Sequence, residues 1–134
     1  MIKEGNISEI EEVNHLLNSF NYNITKESLT NNKFMHILIF DNYKGVLVYD
    51  YIYDRIEIEY IVVKRECRRQ GIATKLLKFM ESQYSNIKNI TLEVSENNEN
   101  AIKFYERNGF IKVAVRKKYY ENKDGFLMMK KFGD

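Results

Sequence analysis

The chain has 134 residues, 44% of them hydrophobic and 30% charged, with a net charge of +2. That length suits one domain, 1–134, with a core that needs no staples, and so mild a charge argues against direct nucleic-acid binding, which calls for a strongly basic surface. The single cysteine excludes an internal disulfide. No signal-length apolar run opens the chain and none approaches the ~18 residues that cross a bilayer, so a cytoplasmic protein without a membrane partner is expected.

The opening residues read as a short strand. Ser8 reads as a helix N-cap, and Ile10, Val13, Leu16 and Leu17 fall on one stripe, predicting a helix. Residues 21–33 are polar, with a short second helix expected from Thr25. FMHILIF, GVLVYDYIY and IEIEYIVV are β-rich runs broken at Asp41–Lys44 and Asp54–Arg55, which predicts an antiparallel meander. IATKLLKFMESQY then sets Ile72, Ala73, Leu76, Leu77, Met80 and Tyr84 on one helical face. NITLEV is a strand, and NNENAIKFYERNGF is a helix capped by asparagine and stopped at Asn108-Gly109. FIKVAVRKKYY and GFLMMKKF close the chain as a hairpin around ENKD. A meander followed by two helical crossovers predicts an α/β (α+β) fold, a mixed sheet with helices on both faces.

The strongest motif is Arg68-Arg69-Gln70-Gly71-Ile72-Ala73-Thr74, between a strand ending near Val63 and a helix starting near Ile72. Glycine lets a ligand approach the backbone closely, and the helix N-terminus behind it supplies unpaired N–H groups and a dipole that favour a pyrophosphate. Lys64 and Arg65 add positive charge. Taken alone, the segment reads equally well as a turn with a solvated basic patch.

Arg68-x-x-Gly71-x-Ala73 resembles the acyl-coenzyme A pyrophosphate motif of the GNAT superfamily of N-acetyltransferases. The likeness extends over roughly residues 44–132: IEIEYIVV resembles the family's fourth strand, and LEVSENNENAIKFYERNGF its fifth strand and following helix. The resemblance implies the GNAT fold, with a mostly antiparallel sheet of about six or seven strands. It also implies acetyl-CoA as acetyl donor, held by Ile61, Val62, Val63, the 68–74 loop, Asn98 and Tyr105, and an oxyanion donor among the backbone N–H groups near Ile61–Val63. Many members form homodimers. The tail, with Arg116-Lys117-Lys118-Tyr119-Tyr120 and GFLMMKK, is similar to the RimI type, which acetylates the N-terminal alanine of a ribosomal protein. FNYNITKESL departs from that type, lacking its Pro-Trp element on the acceptor side.

Amine acetylation needs a base, an oxyanion donor and an acid for the departing thiolate. Family likeness makes Tyr105 that acid; its helical stripe with Ala101 and Phe104 alone would make it a core aromatic. Alternation in ITLEV turns Glu93 and Thr91 away from Ile90, Leu92 and Val94. A carboxylate in a central strand is costly unless paired or functional, and the RimI likeness makes Glu93 the general base. Glu59 and Glu57, sharing one face of IEIEYIVV, rank second and third. Tyr119 and Tyr120 are read as lining the acceptor groove or as packing, and Arg116-Lys117-Lys118 as a solvated strand face. Cys67 is read as structural, and the isolated His15 and His36 argue against a metal. A small-amine acetyltransferase and a non-catalytic acyl-CoA sensor are the other functions compatible with these residues.

Overall fold

The elements follow one another in the expected order: β1 (Ile2–Gly5), α1 (Ile10–Asn18), α2 (Lys26–Asn31), β2 (Met35–Phe40), β3 (Gly45–Ile52), β4 (Arg55–Val63), α3 (Ile72–Ser82), β5 (Asn89–Ser95), α4 (Glu99–Arg107), β6 (Ile111–Tyr120) and β7 (Lys123–Lys131). The computed structural model describes residues 1–120 and 122–133, apart from the side chains of Tyr119 and Tyr120. The strands form one mixed sheet in the order β1-β2-β3-β4-β5-β7-β6. Four of its pairs, β1–β2, β2–β3, β5–β7 and β6–β7, are antiparallel, whereas β4 and β5 run parallel. The chain clusters into two units, the first Met1–Ile52 with Glu59–Ser85, the second Tyr53–Ile58 with the chain from Asn86 onward.

In the first unit, both faces of β2 and β3 are covered. The α1 stripe, Ile10, Val13, Leu16 and Leu17, packs with Ile37, Ile39, Val46, Val48 and Val62 on one side. On the other, a Cβ built on Gly45 would stand 2.7 Å from Ile72 and 3.3 Å from Leu76, so only a glycine lets the start of α3 lie against β3. Coverage on both sides explains why Ile37, Leu38 and Ile39 are all buried rather than alternating. Each such side chain contributes about 1.5–3 kcal/mol by leaving water.

Three local expectations need correction. Asn6, not Ser8, is the cap: its Oδ1 accepts from the Ser8 N–H at 3.0 Å, while the Glu9 carboxylate accepts from the Asn6 N–H at 3.3 Å. This box closes a 3-10 turn over Ile7–Glu9 ahead of α1; Asn and Ser cap about equally well, and each has a glutamate three residues on, Glu9 and Glu11, so the box pattern alone does not choose between them. Tyr84 lies beyond the end of α3, although its ring stacks on Tyr51 at 3.8 Å. The closing turn is tighter than ENKD, because Lys123 already pairs with Tyr120.

In the second unit β5 alternates cleanly, with Ile90, Leu92 and Val94 buried. It pairs with β7 from Asn89↔Lys131 to Ser95↔Gly125. Asn98 caps α4 by accepting from the Ala101 N–H, and Gly109, at φ +94°, ends it in a conformation that L side chains resist. The β6–β7 ladder is irregular: Lys112 pairs with Met128 and Ala114 with Leu127, leaving Val113 as a bulge.

Candidate active site

The loop before α3 is built by backbone conformation. Lys64 donates its N–H to the Lys44 carbonyl at 2.8 Å, tying the end of β4 to the strand connection before β3. A 3-10 turn over Arg65–Cys67 follows, then Arg69 at φ +66° and Gly71 at φ +73°. Gly71 occupies the N-cap position with no side-chain cap bond. The first intrahelical bond there runs from the Lys75 N–H to the Gly71 carbonyl at 3.0 Å, so the Ile72, Ala73 and Thr74 amides are the orphan donors of a helix start. Among the described residues nothing lies within 4 Å of a Cβ built on Gly71, so its outward side is open. Arg68 rests its guanidinium 5.5 Å from the Phe20 ring centroid, and Arg69, Gln70 and Gly71 are exposed. Unpaired amides, an open glycine and neighbouring cations fit the doubly charged pyrophosphate of a nucleotide coenzyme.

On β4, Val62 is buried, while Ile61 and Val63 are half-buried. Glu57 and Glu59 are exposed on one face, as alternation predicts. The sequence reading missed Asp50, only 5% exposed on β3, whose carboxylate lies within 4.8 Å of that of Glu59 and accepts from the Asn32 Nδ2 at 3.1 Å. The signal was an acid inside the apolar run GVLVYDYIY, where burial without a purpose or partner is costly.

In the second unit, Glu93 stands on the face of β5 opposite Ile90, Leu92 and Val94. Its Oε1 lies 3.0 Å from Nη2 of Arg116, and its Oε2 is buried with no hydrogen-bond partner among the described residues. Arg116 is therefore not simply part of a solvated face. Lys117 does face solvent, pairing with Asp124 at 3.5 Å; the Asp124 carboxyl is held below its usual range chiefly by the Lys118 backbone N–H it accepts. Tyr105 is buried on α4, edge-on to Phe104 at 5.3 Å and Phe110 at 5.5 Å. The acceptor-groove expectation for Tyr119 and Tyr120 falls on side chains outside the described residues. Cys67 is a free, half-buried thiol.

Residues 8–110 match the acetyltransferase (GNAT) family model, and the chain belongs to that family. It is 47% identical over 75 residues to an uncharacterised N-acetyltransferase of Methanocaldococcus jannaschii, covering 53% of this chain and 48% of that protein. It is also 47% identical over 73 residues to an N-alpha-acetyltransferase of Saccharolobus solfataricus, covering 51% and 43%. The matches thus span about half the length of these curated relatives or less. The crystal structure of the ribosomal-protein-S18-alanine N-acetyltransferase from Escherichia coli superposes with a TM-score of 0.86 at 19% identity, covering 100% of this chain and 94% of that one. The expected fold is therefore present. Among the described residues no helix is long and apolar enough to cross a membrane.

Proposed function

We propose that residues 1–134 act as one cytoplasmic domain that moves the acetyl group of acetyl-CoA to the α-amine of a protein N-terminus, with an alanine end of a ribosomal protein as the leading acceptor. The observation that carries acetyl-CoA is the start of α3, where an uncapped helix terminus sits behind an open glycine and the Arg68-Arg69 pair. The name of the Saccharolobus relative supports an α-amine. In this scheme the 68–74 loop takes the pyrophosphate, and Ile61, Val62, Val63, Asn98 and Tyr105 take the rest of the donor, with a backbone N–H near Ile61–Val63 donating to the oxyanion. The acceptor nitrogen attacks the thioester carbon and gives its proton to Glu93. The C–S bond then breaks, and the departing sulfur takes the Tyr105 proton. Glu59 ranks second as base and Glu57 third, with Tyr119 and Tyr120 lining the acceptor groove. A homodimer would be read by sedimentation.

One observation favours a second acceptor: the Asp50–Glu59 acid pair suits a small polycationic amine. The deciding experiment follows coenzyme A thiol release with panels of free-N-terminus peptides and of small amines. Turnover on alanine-leading peptides that stops when their α-amine is blocked supports the first reading. Turnover on small amines alone replaces the acceptor, and tight acetyl-CoA binding without turnover on either panel overturns both.

A further inference from the structure

The unexplained atom in the second unit is Oε2 of Glu93. An acid on a strand facing solvent would hydrate both oxygens, yet here one is engaged by Arg116 at 3.0 Å and the other is buried without a partner among the described residues. A half-satisfied carboxylate is costly to keep, so its place on β5 calls for an explanation beyond stability.

How Arg116 reaches Glu93 follows from the ladder. Glu93 pairs with Leu127 on β7, and Leu127 with Ala114 on β6, so the three share one face. Arg116 is two residues beyond Ala114 and pairs with Gly125. Because Gly125 has no side chain, nothing on β7 at that row stands between Arg116 and β5. The bulge at Val113 sets the side. Lys112 lies on the opposite face, its ammonium 4.5 Å from the Phe126 ring centroid. Unbroken alternation from Lys112 would put Arg116 there too, and the extra residue turns it to the Glu93 face.

The pair is poorly placed to stabilise the fold, since the Arg116 side chain is 62% exposed and ion pairs that wet are worth little. Its geometric effect is larger. A glutamate carboxylate turns about three side-chain bonds, and a charge-assisted bond to one oxygen removes most of that freedom.

We propose that Arg116 is a positioning residue that clamps Oε1 of Glu93 and so fixes the carboxylate for proton transfer from the primary ammonium of the acceptor, directly or through a water. This rests on Glu93 being the base.

The test is a cycle of Glu93→Gln, Arg116→Met and the double variant, with Arg116→Lys and Lys117→Met alongside, on the acceptor that turns over. Arg116→Met is expected to lower kcat about tenfold with acetyl-CoA affinity and thermal midpoint nearly unchanged, and Arg116→Lys to recover part of it. Lys117→Met should match the parent. The double variant should be no slower than Glu93→Gln alone, because Arg116 acts only through that carboxylate. A further tenfold loss in the double variant, a parental rate for Arg116→Met, or a rate loss matched by loss of fold overturns the proposal. If Glu93→Gln is slow while Arg116→Met is normal, only the clamp fails. If Glu93→Gln is itself normal, Glu93 is not the base and the clamp falls with it.

Discussion

Replacing Gly71 with alanine separates what the fold asks of that residue from what the ligand asks. At φ +73° and ψ +18° an L side chain costs about 1–2 kcal/mol. Alanine also narrows the unfolded ensemble, which returns about 0.4–1 kcal/mol. No steric charge is added, because the new methyl meets nothing within 4 Å among the described residues. The net loss is about 1 kcal/mol, or a thermal midpoint lower by about 3–6 °C for a chain of this size. The methyl projects outward from the loop, so a pyrophosphate seated there is pushed away from the α3 amides; a tenfold rise in Kd corresponds to about 1.4 kcal/mol, and at least that is expected. Gly109→Ala is the control. It sits at φ +94° and would bring its Cβ to 3.3 Å from the flexible end of Lys130, so it loses stability as Gly71→Ala does but keeps acetyl-CoA affinity. Differential scanning calorimetry and titration calorimetry with acetyl-CoA read the two effects. Parental affinity in folded Gly71→Ala would refute the placement of the pyrophosphate.

Three further outcomes are expected. Tyr105→Phe should slow turnover about 10²-fold or more with acetyl-CoA binding retained; equal rates in a stopped-flow thiol assay would remove it as the acid. Leu47→Ala, at a fully buried position under α3, should cost about 2–5 kcal/mol in urea unfolding with the slope unchanged. The Tyr43 hydroxyl donates to Glu9 at 2.8 Å, and chiefly for that reason its pKa is raised from the usual 10 to about 12. A group that holds its proton more tightly when folded adds stability below the unfolded value and loses it as pH climbs through the folded one. Urea midpoints should therefore fall between about pH 10 and 12, and Tyr43→Phe should flatten part of that decline.

Periodicity carried most of the fold. The α1 and α3 stripes and the β5 alternation each name a buried face, and the structure buries Val13, Leu17, Leu76, Leu77, Ile90 and Leu92 as those patterns require. Patterning was silent where two local solutions are nearly equal in energy, as with Asn6 and Ser8 for the first cap. Glu93 was legible because an acid at an alternating position must face somewhere. Its partner was not: a bulge is a one-residue slip with no composition of its own, and counting in twos from Lys112 sends Arg116 to the wrong side. Asp50 was passed over because the stretch around it reads as a plain strand, although burial on both faces is what makes an acid there informative.

The outer strand of the second unit has a consequence for handling the protein in bulk. β6 pairs with β7, and Ile111, Val113 and Val115 are 62%, 42% and 42% exposed. An edge of this kind is a template for another chain's strand. Lys112, Arg116, Lys117 and Lys118 stand among those apolar residues as gatekeepers, since bringing two such edges together would stack like charges. Solubility is thus set by ionic strength as well as by concentration. High salt, or chemical neutralisation of these lysines, weakens the repulsion and opens the way to sheet-to-sheet association without any loss of the native fold.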